Sequence, residues 1–171
     1  MQNLIVEVGM KLDKDINFYH NMLISHGLKK VFECDTHDVY YTKQKSFDGM
    51  TENQIKNSCI RLRNPSTTDK QKEEELISKG YFKVFDTVKK DYHYKNDKIK
   101  SIIQLQDIKD IGLVVYYDNP DYYGLELDNQ REKLLQELNY YGFSFKKEEL
   151  GIDKLRTLYY KKQLYSKNQN G

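Results

Sequence analysis

Arg61 and Arg63 stand one residue apart in the apolar run Cys59-Ile60-Arg61-Leu62-Arg63, and they are two of only four arginines among 28 basic residues. Lysine serves almost everywhere else. On a strand, alternate side chains point the same way, so both guanidinium groups share a face. Their planar forks of donors bind phosphate or carboxylate bidentately, which an ammonium does not. Two forks on one face point to an anion site, with a polyphosphate as the expected ligand. Phosphate chemistry needs further cations, and usually a divalent metal held by carboxylates. The cations in strand-like alternation are Lys11, Arg61, Arg63 and Lys89. The carboxylates are Glu7, Asp91 and Asp118, with Glu33 a weaker choice. Any one of these strands, taken alone, reads as a solvated face. Four together are better explained by a closed barrel with a charged interior.

Length and composition set the frame for such a barrel. A chain of 171 residues fits one domain with a sizeable core, expected here over 1–165 with a disordered tail at 166–171. Fifteen Tyr and seven Phe supply buriable surface to a chain that is 32% charged. A net charge of +2 is too near neutral to argue for a nucleic-acid polymer or a membrane as partner, so the anion site must be local. Cys34 and Cys59 make no disulfide framework. His20, His26, His37 and His93 show no zinc-ligand spacing, and no glycine-rich phosphate loop appears. With no signal peptide or long apolar run, a cytoplasmic location is expected.

The elements that must position these residues follow from pattern. Leu4 to Leu12 reads as a strand with Glu7, Gly9 and Lys11 on one face. Residues 13–26 read as a helix capped by Asp13, with Ile16, Tyr19, Leu23 and His26 inward and Gly27 as its stop. Residues 29–35 and 37–43 read as two strands turning at Asp35-Thr36. A polar loop reaches residue 56, and Asn64-Pro65-Ser66 ends the arginine strand. Next come a helix at 69–79, strands at about 82–95, 99–107 and 112–118, a Tyr-rich loop, and a helix at 129–141 capped by Asn129. The tyrosines at 116, 117, 122 and 123 are expected to cover a barrel end or an interface.

Leu23-Ile24-Ser25-His26-Gly27-Leu28-Lys29-Lys30-Val31-Phe32-Glu33 recurs as Leu76-Ile77-Ser78-Lys79-Gly80-Tyr81-Phe82-Lys83-Val84-Phe85-Asp86, and the offset holds on to Asp38/Asp91 and Tyr41/Tyr94. Each copy reads helix, glycine stop, strand. Two copies predict two pseudo-symmetric halves.

In this order the residues resemble a known family. Glu7-Val8-Gly9-Met10-Lys11 resembles the E-x-E-x-K signature of the CYTH superfamily, the triphosphate-tunnel proteins, which include class IV adenylyl cyclases and thiamine triphosphatases. Asp38-Val39-Tyr40-Tyr41 is similar to its D-x-Y-(Y/F) strand, and Cys59 to Arg63 to its A-L-R-x-R strand. Phe85 to Tyr94 resembles V-x-K-x-R-x-x-Y, and Leu105 to Gly112 resembles L-D-x-V-x-x-L-G. Arg156-Thr157-Leu158-Tyr159 is faintly similar to the S-Y-x-x-L-L end. The resemblance implies an α+β fold: a mainly antiparallel, closed or C-shaped barrel with helices outside. It implies a tunnel that binds a nucleotide or inorganic triphosphate and acts on it as a triphosphatase or adenylate cyclase with Mg²⁺ or Mn²⁺. Lys11, Arg61, Arg63 and Lys89 would then hold phosphate, Glu7 and Lys11 would take part in catalysis, and Glu7 with Asp118 would hold metal. Gly9 replaces the second glutamate, Gln106 the family aspartate, and the last strand, with Tyr116, keeps one acid. Asp91 stands near the expected arginine, and there is no room after Asn64 for two of the family's strands. A carboxylate-poor site holds a divalent metal less well. The alternative expectation is therefore a non-catalytic module that binds phosphorylated ligands in a relict tunnel.

Overall fold

Among the described residues, period-two alternation in the strands and the helices between them build one antiparallel sheet with five α-helices. The computed structural model describes residues 5–65, 69–145 and 152–169, and within the last segment the side chains of 156–164. The elements are β1 (Val8–Lys11), α1 (Ile16–Ser25), β2 (Lys29–Thr42), α2 (Glu52–Asn57), β3 (Cys59–Arg63), α3 (Lys70–Ser78), β4 (Phe82–Lys95), β5 (Ile103–Ile108), β6 (Gly112–Tyr117), α4 (Leu127–Tyr140) and α5 (Ile152–Gln169). The strand order is β1-β6-β5-β4-β2-β3. β1 and β3 are its edges among the described residues, and the sheet with its helices makes the expected α+β fold. The expected strand start at Leu4, Ser66 of the turn and the end of the expected tail lie outside the described residues.

By contacts the chain divides into two compact units, 1–34 with 90–152 and 35–89 with 153–171. In the first unit, one face of β1, β5 and β6 carries Val8, Met10, Ile103, Leu105, Val115 and Tyr117, packed against Tyr19 and Leu23 of α1 and Leu134 and Leu138 of α4. Each such fully buried side chain contributes roughly 1.5–3 kcal/mol. In the second unit, Tyr40, Phe47, Ile55, Val84, Phe85, Tyr160 and Leu164 form the core.

The sequence repeat is also a repeat of hydrogen bonds. Gly27 and Gly80 have φ of +81° and +84°. After α1, Gly27 donates to the carbonyl of Ile24 and Leu28 to that of Leu23, both at 3.0 Å. After α3, Gly80 donates to Ile77 and Tyr81 to Leu76, again at 3.0 Å. Left-handed glycines that close the last carbonyls in this way end a helix and launch the next strand. Gly142 ends α4 likewise, with Gly142 bonded to Asn139 and Phe143 to Leu138.

Several expected boundaries shift for identifiable reasons. The two strands expected at 29–35 and 37–43 are one strand, β2. Asp35-Thr36 offers no residue with positive φ for a tight hairpin, and β-branched Thr36 suits an extended chain. Asp15, not Asp13, caps α1 and accepts from Phe18 N at 2.8 Å, while Asp13 accepts the Tyr19 hydroxyl at 2.7 Å. His26 is exposed rather than inward. The polar loop before residue 56 contains α2, started by a capping box in which Thr51 and Gln54 bond each other's backbone N–H. α4 begins with Glu126 at its N-cap, so Asn129 lies inside the helix. α5 runs to Gln169, into the segment expected to be a disordered tail.

Candidate functional site

The β2–β3 register sets Asp38 opposite Arg63 and Tyr40 opposite Arg61, so all four share a face of the second unit. This bears out the shared face of the two arginines and adds a partner that residue spacing does not reveal. Arg63 clasps Asp38 bidentately, Nε to Oδ1 at 2.8 Å and Nη2 to Oδ2 at 3.0 Å. Arg61 Nη1 lies 3.9 Å from the same carboxylate. Asp38 is 3% exposed, whereas each arginine side chain is 49% exposed. The carboxylate orients the guanidinium groups and leaves the three charges with a sum of one positive. In the sequence Asp38 stands out only as part of a motif; pairing D-x-Y with R-x-R needs the register, which the sequence does not print.

Lys89 joins this face. Phe85, Thr87 and Lys89 alternate along β4, and Phe85 stacks on Tyr40 with ring centroids 4.6 Å apart. Thr87 is 4% exposed and its hydroxyl has no hydrogen-bond partner among the described residues. Buried hydroxyls are ordinarily paired, which makes Thr87 an exception on this face.

Glu7, Lys11 and Asp118 belong to the first unit. Glu7 and Asp118 line a cleft of about 300 Å³ with His93, Lys95, Lys100 and Gln104. Asp118 Oδ1 accepts from Ser101 at 2.8 Å, and Oδ2 accepts from the Tyr123 hydroxyl. The bond to Asp118, with burial and the nearby charge of Glu7 adding to it, pushes the Tyr123 hydroxyl up to about 12. Lys11 does not line this cleft; its Cε would lie 3.4 Å from a Cβ added at Gly112. Asp91, the other acid expected here, is buried and accepts from Gln104 Nε2 at 3.1 Å. Glu33 is a surface group whose hydrogen bonds from Lys30 and Lys90 hold it down to about 2.

Two departures from the expected acids are one feature in space. Gly9 of edge strand β1 pairs directly with Tyr116 of β6, which pairs with Gln104 of β5. There a missing side chain meets a buried aromatic ring that is 7% exposed. An aromatic opposite an edge glycine restores the packing the glycine gives up.

The donor set does not fit a dedicated divalent centre. Among the described residues no three His, Cys, Asp or Glu gather to hold a metal ion. Of the two acids that share a cleft, Asp118 already accepts on both oxygens. Glu126 and Asp128 are the N-cap residue and a first-turn acid of α4. The histidines have other contacts: His20 with the Tyr94 hydroxyl at 3.0 Å, His37 with Asp86 at 3.0 Å, His26 with the carbonyl of Met22, and His93 against the Phe32 ring. Tyr117 and Tyr122 donate to Glu137 at 2.6 and 2.5 Å.

No family model and no curated protein matches the sequence. Solved structures do match the fold. The PH1819 protein of Pyrococcus horikoshii superposes with a TM-score of 0.56 at 14% identity, covering 89% of this chain and 98% of that one. The PH1012 protein of the same organism gives 0.55 at 12% identity, with 85% and 93% covered. A Vibrio parahaemolyticus protein named "putative adenylate cyclase" gives 0.52 at 14% identity, with 84% and 91% covered. No helix among the described residues is long and apolar enough to cross a membrane.

Proposed function

We propose that this chain, which has the CYTH-type fold at the low identity of a divergent member, binds a triphosphate-containing small molecule through Arg61 and Arg63, with Lys89 as a further cation. One observation carries the reading: two half-exposed guanidinium groups are oriented on one face by a single buried carboxylate. A charge-assisted bidentate bond fixes Arg63 before a ligand arrives, so less side-chain freedom is lost on binding.

Isothermal titration with tripolyphosphate tests this reading. Millimolar or tighter binding is expected, falling at least tenfold when Arg61 and Arg63 are both changed to Gln, at about 1.4 kcal/mol per factor of ten. A folded protein without measurable binding at millimolar ligand refutes it.

Once a triphosphate is bound, the donor set favours a binding module over an enzyme with its own metal centre. The reading as a metal-dependent triphosphatase or adenylate cyclase draws on the name of the Vibrio protein and on Glu7 and Asp118 sharing a cleft. Incubation with ATP and other triphosphates plus Mg²⁺ or Mn²⁺ separates the two. Phosphate release or cyclic nucleotide abolished by Glu7→Gln supports the enzyme, and binding without turnover supports the module.

A further inference from the structure

The second unit holds another arginine, and this one is buried. Arg156 of α5 is 8% exposed. Its Nε donates to the Tyr160 hydroxyl at 3.1 Å and lies 3.5 Å from Oε1 of Glu52, which Lys56 also approaches at 2.5 Å. Glu52, Lys56 and Arg156 therefore sum to one positive charge. Tyr160 stacks on Phe85 with centroids 4.3 Å apart, and its ring lies 6.3 Å from that of Tyr40. Tyr40 is the residue paired across the sheet with Arg61. A buried cation thus stands behind one aromatic layer from the arginine face. Packing alone does not call for it, because an apolar residue of similar volume would seat the helix as well or better. The Tyr40 hydroxyl senses both sides. Burial and Asp38 raise its pKa, while Arg156 and then Arg61 pull it down.

We propose that Arg156 is a positioning residue of the anion site, holding the Tyr160–Tyr40 layer behind Arg61 and adding its buried charge to the field that an incoming phosphoryl group meets. This rests on the triphosphate reading of the arginine face. Charge in a dry layer is screened less by solvent than charge on the rim, so it acts over a longer distance.

The test is tripolyphosphate titration of the full chain as wild type, Arg156→Gln, Arg156→Lys and Tyr40→Phe, with a melting curve for each. Arg156→Gln is expected to weaken binding by about five- to tenfold through the loss of its charge. Arg156→Lys is expected to restore most of that loss, although both variants lose the Nε bond to Tyr160 and melt at similarly lowered temperatures. A merely structural arginine would instead leave affinity untouched in both, or reduce it equally in both in step with melting; either result overturns the proposal. If Arg156→Gln does not fold, Tyr40→Phe carries the test, since it keeps the ring stack. About threefold weaker binding is expected from the lost hydrogen bond between the Tyr40 hydroxyl and Arg61, through which the layer positions that guanidinium, and unchanged affinity overturns the proposal. A wild type that binds no tripolyphosphate overturns the arginine-face reading and this proposal together. Wild-type binding with an indifferent Arg156 overturns this proposal alone.

Discussion

Asp38→Asn is the sharpest probe of the arginine face, because it changes one charge and almost no volume. Asp38 touches Arg63 at 2.8 and 3.0 Å and lies 3.9 Å from Arg61. A phosphoryl group on the outer edges of the two guanidinium groups would lie about 7 Å from that carboxylate, a repulsion of about 2.4 kcal/mol at an effective dielectric of 20 and about 0.6 kcal/mol in bulk water. Removing the charge should tighten tripolyphosphate binding by up to about tenfold between those limits, less the roughly 0.5–1.5 kcal/mol of rotamer freedom that an unclasped Arg63 then loses on binding. The cost falls on stability: the carboxylate is buried, but both arginines are half-exposed and can rehydrate, so a loss of about 1–3 kcal/mol is expected. Titration calorimetry at several salt concentrations, with denaturant melts, reads both quantities. The gain in affinity should shrink as salt rises. A folded Asp38→Asn protein that binds tripolyphosphate equally or more weakly refutes the claim that Arg61 and Arg63 are the ligands and Asp38 their competitor.

Other perturbations test the frame. Glu137→Ala should cost about 1–3 kcal/mol in denaturant melts, because the hydroxyl of Tyr117, 1% exposed, loses its acceptor; a cost below about 0.5 kcal/mol would deny that role. Gly142→Ala should destabilise by about 2–4 kcal/mol and Gly27→Ala by about 1 kcal/mol. Both sites have positive φ, but an added Cβ at 142 would stand 2.8 Å from Met22 Sδ while Gly27 has open space; equal costs would refute the packing argument. Asp86 has its pKa lowered against the opposing effect of burial, by the hydrogen bond from His37 and the charge of Lys83. A lowered folded pKa gives stability above the unfolded value of 3.8 that is lost as pH falls through the folded pKa. Asp86→Asn should therefore flatten the acid limb of the stability curve below about pH 4, and an unchanged limb would sink that assignment. Burial and the bond to Glu137 raise Tyr122 to about 12. Its contribution is complete below about pH 10 and lost as pH rises towards about 12, so Tyr122→Phe should narrow the alkaline loss seen in ultraviolet difference titration.

Much of the frame is legible in residue pattern. The arginine strand, both glycine-stopped helices and the repeat that joins them rest on local signals: period-two alternation and a residue suited to positive φ. Legibility fails where structure depends on a partner distant in sequence. α2 hides one buried apolar residue, Ile55, in a polar run, and only its Thr51–Gln54 box betrays it. The single strand across Asp35-Thr36 is decided by its neighbours in the sheet. The site divides in the same way. Arg61 and Arg63 announce themselves by residue type against a lysine background. Asp38 as their partner, and Gly9 opposite Tyr116, are facts of register. Arg156 carries the same scarcity signal as the other arginines, but on a helix its spacing gives no hint of the aromatic layer it sits behind.

The second unit closes its core with Tyr160 and Leu164, which the ribosome makes long after Tyr40 and Phe85. Among the described residues, the core of the first unit uses nothing beyond residue 145. During synthesis the first unit can therefore complete its core while the second still lacks its last side chains, and Tyr40 and Phe85 must wait uncovered. Contacts of such long sequence separation make folding slow and leave apolar surface exposed to aggregation in the interval. Under pulsed proteolysis during refolding, protection of residues 35–89 should appear last, in step with docking of α5.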